Sequence, residues 1–67
     1  MTNTSALREA VNKSGLKYGK IAGEMGITAY TLQKKIDNET EFKASEIVAL
    51  SSLLSLTESE RSAIFFA

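Results

Sequence analysis

Chemistry in this chain would have to be done without histidine and without cysteine, since neither occurs among its 67 residues. That removes the commonest general base near neutral pH, the commonest metal ligand, and every thiolate or disulfide. The nearest approach to a carboxylate pair for acid–base work is Glu58 and Glu60. Both fall in Thr57-Glu58-Ser59-Glu60, where a hydroxyl followed three residues later by a glutamate makes the capping-box pattern of a helix start. Acids there complement the helix dipole, so capping accounts for them. No nucleophile, base or metal-ligand set accompanies them, and the residues point away from an enzyme, a cofactor and a metal.

The cations are more informative. Eight basic and eight acidic residues leave no net charge, which is unfavourable for a nucleic-acid partner because phosphate neutralisation needs cations. Their distribution is uneven, however. Lys13, Lys17, Lys20, Lys34 and Lys35 share their stretch with one acid, Glu24, a balance of +4. From Ile36 onward, Lys43 and Arg61 stand against Asp37, Glu39, Glu41, Glu46, Glu58 and Glu60, a balance of −4. A molecule divided in this way has a preferred orientation towards a charged partner. The plainer alternative for the lysines is a solvated helix face.

The elements that must position these residues are helices. The length allows one domain, residues 1–67, and 43% apolar residues suffice for a core. A first helix runs from about Ser5 to Lys13, capped by Thr4 or Ser5, with Leu7, Ala10 and Val11 on one stripe and Gly15 as its left-handed stop. A second covers about Tyr18 to Met25, with Ile21, Ala22 and Met25 at helical spacing and Gly26 beyond it. Thr28 caps a third, about 28–36, whose buried stripe carries Leu32 and Ile36. After the polar Asp37-Asn38-Glu39-Thr40 loop, a fourth spans about 44–54 with Ile47, Leu50, Leu53 and Leu54. A fifth covers about 58–66 and carries Ile64, Phe65 and Phe66. No stretch alternates as a strand would, so the expected fold is an all-α compact bundle of five short helices. The polar Met1–Ser5 start has no signal-peptide pattern, and no apolar run approaches the roughly 20 residues that cross a bilayer. The expectation is a cytosolic protein that does not engage membranes.

The stretch from Tyr18 to Ile36 places two short helices around a turn. Ala22 is small where a crossing helix demands it, Gly26 sits where positive φ is needed, Ile27 anchors the turn, and Leu32 follows in the next helix. With Ile21, Met25, Thr31, Lys34-Lys35-Ile36-Asp37-Asn38, Phe42, Ser45-Glu46-Ile47 and Ile64-Phe65-Phe66, this pattern resembles the Cro and lambda-repressor type of helix-turn-helix protein. Within it, the chain is similar to the short phage-encoded regulators, and the resemblance covers nearly the whole length.

The resemblance implies a lambda-repressor-like DNA-binding domain from a phage or prophage in a bacterial cytosol. Its third helix would enter the major groove while the second braces it across the backbone. Ala29, Tyr30, Gln33 and Lys34 would face base edges: Lys34 towards guanine, Gln33 towards adenine, Ala29 towards a thymine methyl. Thr28 would cap the helix whose amides meet a phosphate, and Lys17, Tyr18, Asn38 and Lys43 would flank the backbone. For Tyr30, packing remains the alternative to recognition. Lys35 stands where the family usually has an aliphatic residue, so Ile36 is expected to take over that packing. Asn38-Glu39 replaces a usual glycine, and asparagine tolerates the left-handed conformation. Asp37, Glu39 and Glu41 lie where phosphates would come, and would weaken binding.

Phe65 and Phe66 point about 100° apart on a helix, so one ring is expected to be exposed. Ile64, Phe65 and Phe66 are therefore candidate interface residues, and a homodimer reading two-fold operator DNA is the corresponding expectation. The functional expectation is a sequence-specific transcriptional repressor or switch protein. The alternative is a protein-binding modulator, a co-repressor or anti-repressor, or less directly a toxin-neutralising antitoxin. It would act on a partner repressor through the acid-rich carboxyl-terminal half.

Overall fold

Five helices form where apolar spacing and end signals coincide: α1 (Thr4–Ser14), α2 (Tyr18–Met25), α3 (Ala29–Ile36), α4 (Ala44–Leu53) and α5 (Glu58–Phe65). They are seen in a computed structural model that describes residues 1–66. No strand occurs among the described residues, and the chain is the all-α bundle that its patterning predicts.

The helices stop for a common reason. Each of the first four is followed by a residue of positive φ: Gly15 at 74°, Gly26 at 75°, Asn38 at 62° and Ser55 at 52°. After α2, α3 and α4, the next amide reaches five residues back: Ile27 to Ala22 (3.0 Å), Glu39 to Lys34 (2.9 Å) and Leu56 to Ser51 (2.9 Å). The left-handed residue itself donates three back, to Gly23, Lys35 and Ser52 respectively. These paired bonds satisfy carbonyls that a helix end otherwise leaves open. At α1 the Ser14 hydroxyl replaces the longer bond, donating to the Val11 carbonyl (2.6 Å) and accepting the Leu16 amide (3.1 Å). The glycine and asparagine stops match expectation; Ser55 carries no comparable sequence signal.

Helix starts follow hydroxyls and amides. Thr28 accepts the Thr31 amide and Thr57 the Glu60 amide, each at 3.1 Å. The expected cap of α1 by Thr4 or Ser5 is not observed. Asn3 caps it instead, accepting the Ala6 amide at 3.1 Å. Thr4 is the first helical residue, and its hydroxyl donates to the Ile36 carbonyl at the end of α3 (2.6 Å). The Asn3 amide meets the Ile64 carbonyl near the end of α5 (2.6 Å). The amino-terminal residues thus tie together the ends of two distant helices.

The core draws on every helix. Leu7, Ile21, Leu32, Ile36 and Leu50 are fully buried, with Val11, Ala22, Leu54, Ile64 and Phe65 nearly so. Ala10, Met25, Ile47 and Leu53 are half-buried against that cluster. Phe65 stacks edge to face on Phe42, ring centroids 5.4 Å apart at 83°. The expectation that one terminal ring is exposed holds: Phe65 is 4% exposed and Phe66 68%. Ile64 and Phe65 are buried in the folded chain; of the three expected interface residues, Phe66 alone faces solvent. The reason is area, because a domain this small needs those side chains inside.

One buried group works against the fold. The Ser51 hydroxyl on α4 is buried and has no hydrogen-bond partner. A buried unsatisfied hydroxyl costs about 1–3 kcal/mol, and serine is a poorer helix former than alanine. Ser51→Ala should therefore stabilise the protein by about 1 kcal/mol, raising the thermal midpoint by roughly 4–8 °C. A calorimetric scan showing a lower midpoint would mean that the hydroxyl is satisfied in solution.

Candidate nucleic-acid interface

α2 and α3 are joined by Gly26, Ile27 and Thr28, and they pack on one another more extensively than any other pair of helices. Gly26 supplies the left-handed turn, Ile27 is half-buried behind it, and Ile21 and Ala22 occupy the buried side of α2. One stripe of α3, Leu32 and Ile36, is entirely inside. The outward side holds five of the expected site residues together. Thr28, Ala29 and Tyr30 are exposed, while Gln33 and Lys34 are half-buried.

Within that group two side chains are already organised. The Lys34 ammonium lies 5.4 Å from the Tyr30 ring centroid, a cation–π contact between residues one helical turn apart. Tyr30 is 73% exposed, which removes the packing alternative for its ring. Thr28 is committed as a cap: besides accepting the Thr31 amide, its hydroxyl donates to the Thr31 Oγ1 at 2.9 Å.

The flanking residues are placed less uniformly. Lys17 and Lys43 are exposed residues just ahead of α2 and α4 respectively, and Tyr18 is half-buried at the start of α2. Asn38 is exposed, but its side chain is engaged internally. Its amide donates to the Thr2 carbonyl (2.7 Å) and the Thr4 hydroxyl (3.3 Å), and its Oδ1 accepts the Thr2 amide (3.0 Å). Both amide hydrogens are thus used, leaving none for a phosphate in this conformation.

The positive balance counted along the sequence is smaller in space. Lys20 pairs with Glu24 at 3.1 Å, one turn further along α2. Lys13 lies beside Glu60, whose carboxyl is held below its ordinary value by the Thr57 amide, the Thr57 hydroxyl and, more weakly, Lys13. Lys35 is only 7% exposed and turns inward, so it cannot belong to a solvated basic face. Ile36 is buried as expected, yet Lys35 also remains inside because it finds a partner. Lys17, Lys34, Lys43 and Arg61 have no carboxylate partner among the described residues. The acids change as well: Asp37 pairs with Arg8, whereas Glu39 and Glu41 stay exposed.

The partner of Lys35 is Glu46, at 3.0 Å from α3 to α4. The same glutamate oxygen accepts the Lys43 amide at 2.8 Å, and the Lys35 ammonium also donates to the Glu41 carbonyl at 3.0 Å. Burial raises the Glu46 pKa, but the Lys43 amide, the Lys35 ammonium and the Lys43 charge together outweigh it and hold the carboxyl below its ordinary value. A carboxylate of depressed pKa contributes stability that is complete above its unfolded value of about 4.3 and is lost as pH falls through the folded value. The urea midpoint should thus drop on acidification below about pH 4, and drop less in Glu46→Gln. Identical pH dependence in the two proteins would remove Glu46 as a cause.

Of a second surface, Phe66 is expected from the sequence and Val48 is not. Val48 on α4 is 62% exposed and, with Phe66, borders a shallow cleft lined by Phe42, Ala44, Ile47 and Arg61. The available signal was the apolar character of α4 all round its circumference, which leaves some apolar side chains outside. No helix of the described residues is long and apolar enough to cross a membrane, and no cluster of potential metal ligands occurs among them. No protein-family model, no curated protein and no solved structure matches this chain.

Proposed function

We propose that the chain is a sequence-specific DNA-binding transcriptional regulator of Cro and lambda-repressor type, reading the major groove with α3. The observation that carries this reading is the division of α3 into a fully buried stripe and an outward group of Ala29, Tyr30, Gln33 and Lys34. An α-helix with side chains is about 10–12 Å across, and the major groove is about 12 Å wide. Lys34 would donate to guanine O6 and N7, Gln33 would pair with adenine N6 and N7, and Ala29 would meet a thymine methyl. The first-turn amides behind the Thr28 cap suit a phosphate oxygen.

Few cations are free to neutralise phosphates, so base-edge contacts must supply an unusually large share of the affinity. With Lys17 and Lys43 as the phosphate contributors and Lys34 on a base edge, log K should fall with log salt at a slope no steeper than about −2 per bound protomer. Lys34→Ala or Gln33→Ala should lower affinity for a duplex selected from a random pool by about 1–3 kcal/mol while leaving the urea midpoint unchanged. Fluorescence anisotropy across salt concentrations measures both quantities. Unchanged affinity in both variants would overturn α3 as the reading helix.

The exposed Val48 and Phe66 cleft supports two uses. Under the DNA reading it joins two copies: half-sites lie about 34 Å apart, commensurate with a domain of 26 × 24 × 20 Å. Under the second reading, a protein-binding modulator, it receives a partner repressor. Sedimentation should show a concentration-dependent dimer that Phe66→Ala abolishes. A monomer at every concentration that also binds no duplex would put the second reading first.

A further inference from the structure

Lys34 and Lys35 are neighbours in sequence but differ in burial and in partner. Lys34 rests outside over Tyr30, whereas Lys35 is buried and reaches Glu46 on α4. Leu32 and Ile36 hold α3 down, and the Thr4 hydroxyl and the Asn38 amide fix its carboxyl-terminal end, but hydrophobic contacts are non-directional, and Lys35 supplies the polar tie from α3 towards α4. The Lys35 ammonium is fixed from two directions, by Glu46 Oε1 and the Glu41 carbonyl, both at 3.0 Å. Glu46 is itself fixed by the Lys43 amide at 2.8 Å. A single buried charge therefore ties α3 to the following loop and to the first turn of α4. At a side-chain radius of about 5–6 Å, a roll of about 10° displaces the outward groups by about 1 Å. Displacements of that size are enough to loosen a binding constellation.

We propose that Lys35 is a positioning residue: its buried pair with Glu46 sets the roll of α3 and hence the direction of Tyr30, Gln33 and Lys34, so that it governs discrimination between DNA sequences and touches no phosphate. The discrimination half of this inference rests on the DNA-binding reading above; the roll half does not. A buried ion pair is weak support for stability, because apolar replacements are often neutral or stabilising, and its directionality is what an apolar pair lacks.

The experiment compares the wild type with Lys35→Met/Glu46→Leu, which removes both charges and leaves neither unpaired. Anisotropy with a selected and a scrambled duplex gives the ratio of dissociation constants, and amide hydrogen exchange follows α3 relative to α1. The double variant should keep its urea midpoint, lose about tenfold in the ratio through weaker binding of the selected duplex, and exchange faster in α3. Its affinity for the scrambled duplex and the salt slope should not change. An unchanged ratio would overturn the proposal, as would equal loss on both duplexes with a salt slope shallower by about one, the mark of a phosphate contact. If the wild type binds no duplex, the DNA reading fails and exchange decides the roll: faster α3 exchange upholds the tie, and unchanged exchange overturns it. Should the double variant not fold, Lys35→Met alone, which leaves Glu46 with the Lys43 amide, is measured in the same way and with the same outcomes expected.

Discussion

A two-turn helix is not stable alone in water, because nucleation is costly and few hydrogen bonds repay it. α3 therefore exists only through the withdrawal of Leu32 and Ile36 from water into the cluster formed with Leu7, Ile21, Ala22 and Leu50. Everything the outward face can do depends on that seating. It requires a small residue at Ala22, a turn closed by Gly26, and a defined exit at Asn38, each of which shortens the path between packed helices. With no side chain to spare in a 67-residue chain, even Ile64 and Phe65 at the far end must go inside.

The same economy governs the charges. Counting cations along the chain treats each as free, but a lysine is flexible enough to reach an acid that the fold brings near. Lys20 meets Glu24 within its own helix, and that pairing follows from spacing alone. Lys35 meets Glu46 across helices, and Arg8 meets Asp37 from the other end of the chain. Pairing reduces the positive side to a few lysines, yet it also cancels the acid that sits immediately after α3. The net result is a weak field with local detail, which favours recognition by contact over long-range attraction.

What was legible in the sequence was local. Gly15, Gly26 and Asn38 announce left-handed stops, Thr28 and Thr57 announce caps, and the aliphatic spacings announce which side of each helix is buried. The outward group on α3 came from the resemblance, with its exposure following from the burial of Leu32 and Ile36 opposite. What escaped was contact between residues far apart in sequence. Asn3 rather than Thr4 caps α1 because the Thr4 hydroxyl is drawn to Ile36 across the fold. Asn38 reads as a turn residue, and only the fold shows its amide engaged by Thr2 and Thr4. Ser55 adopts positive φ without glycine because the closing bonds to Ser51 and Ser52 hold it there.

Lys35 joins these lines. Aliphatic side chains at both Lys35 and Glu46 would bury with no desolvation cost, and stability alone would often favour them. The lysine instead brings a charge inside and requires Glu46, the Glu41 carbonyl and the Lys43 amide to be arranged around it. In a domain whose margin is thin, such an arrangement makes sense where one orientation of a helix matters more than the total depth of its burial. α3 is the helix that carries an exposed ring with a cation stacked on it, so its orientation has a consequence outside the core. The seating of Leu32 and Ile36 decides that α3 forms, and the Lys35 pair decides which way it faces.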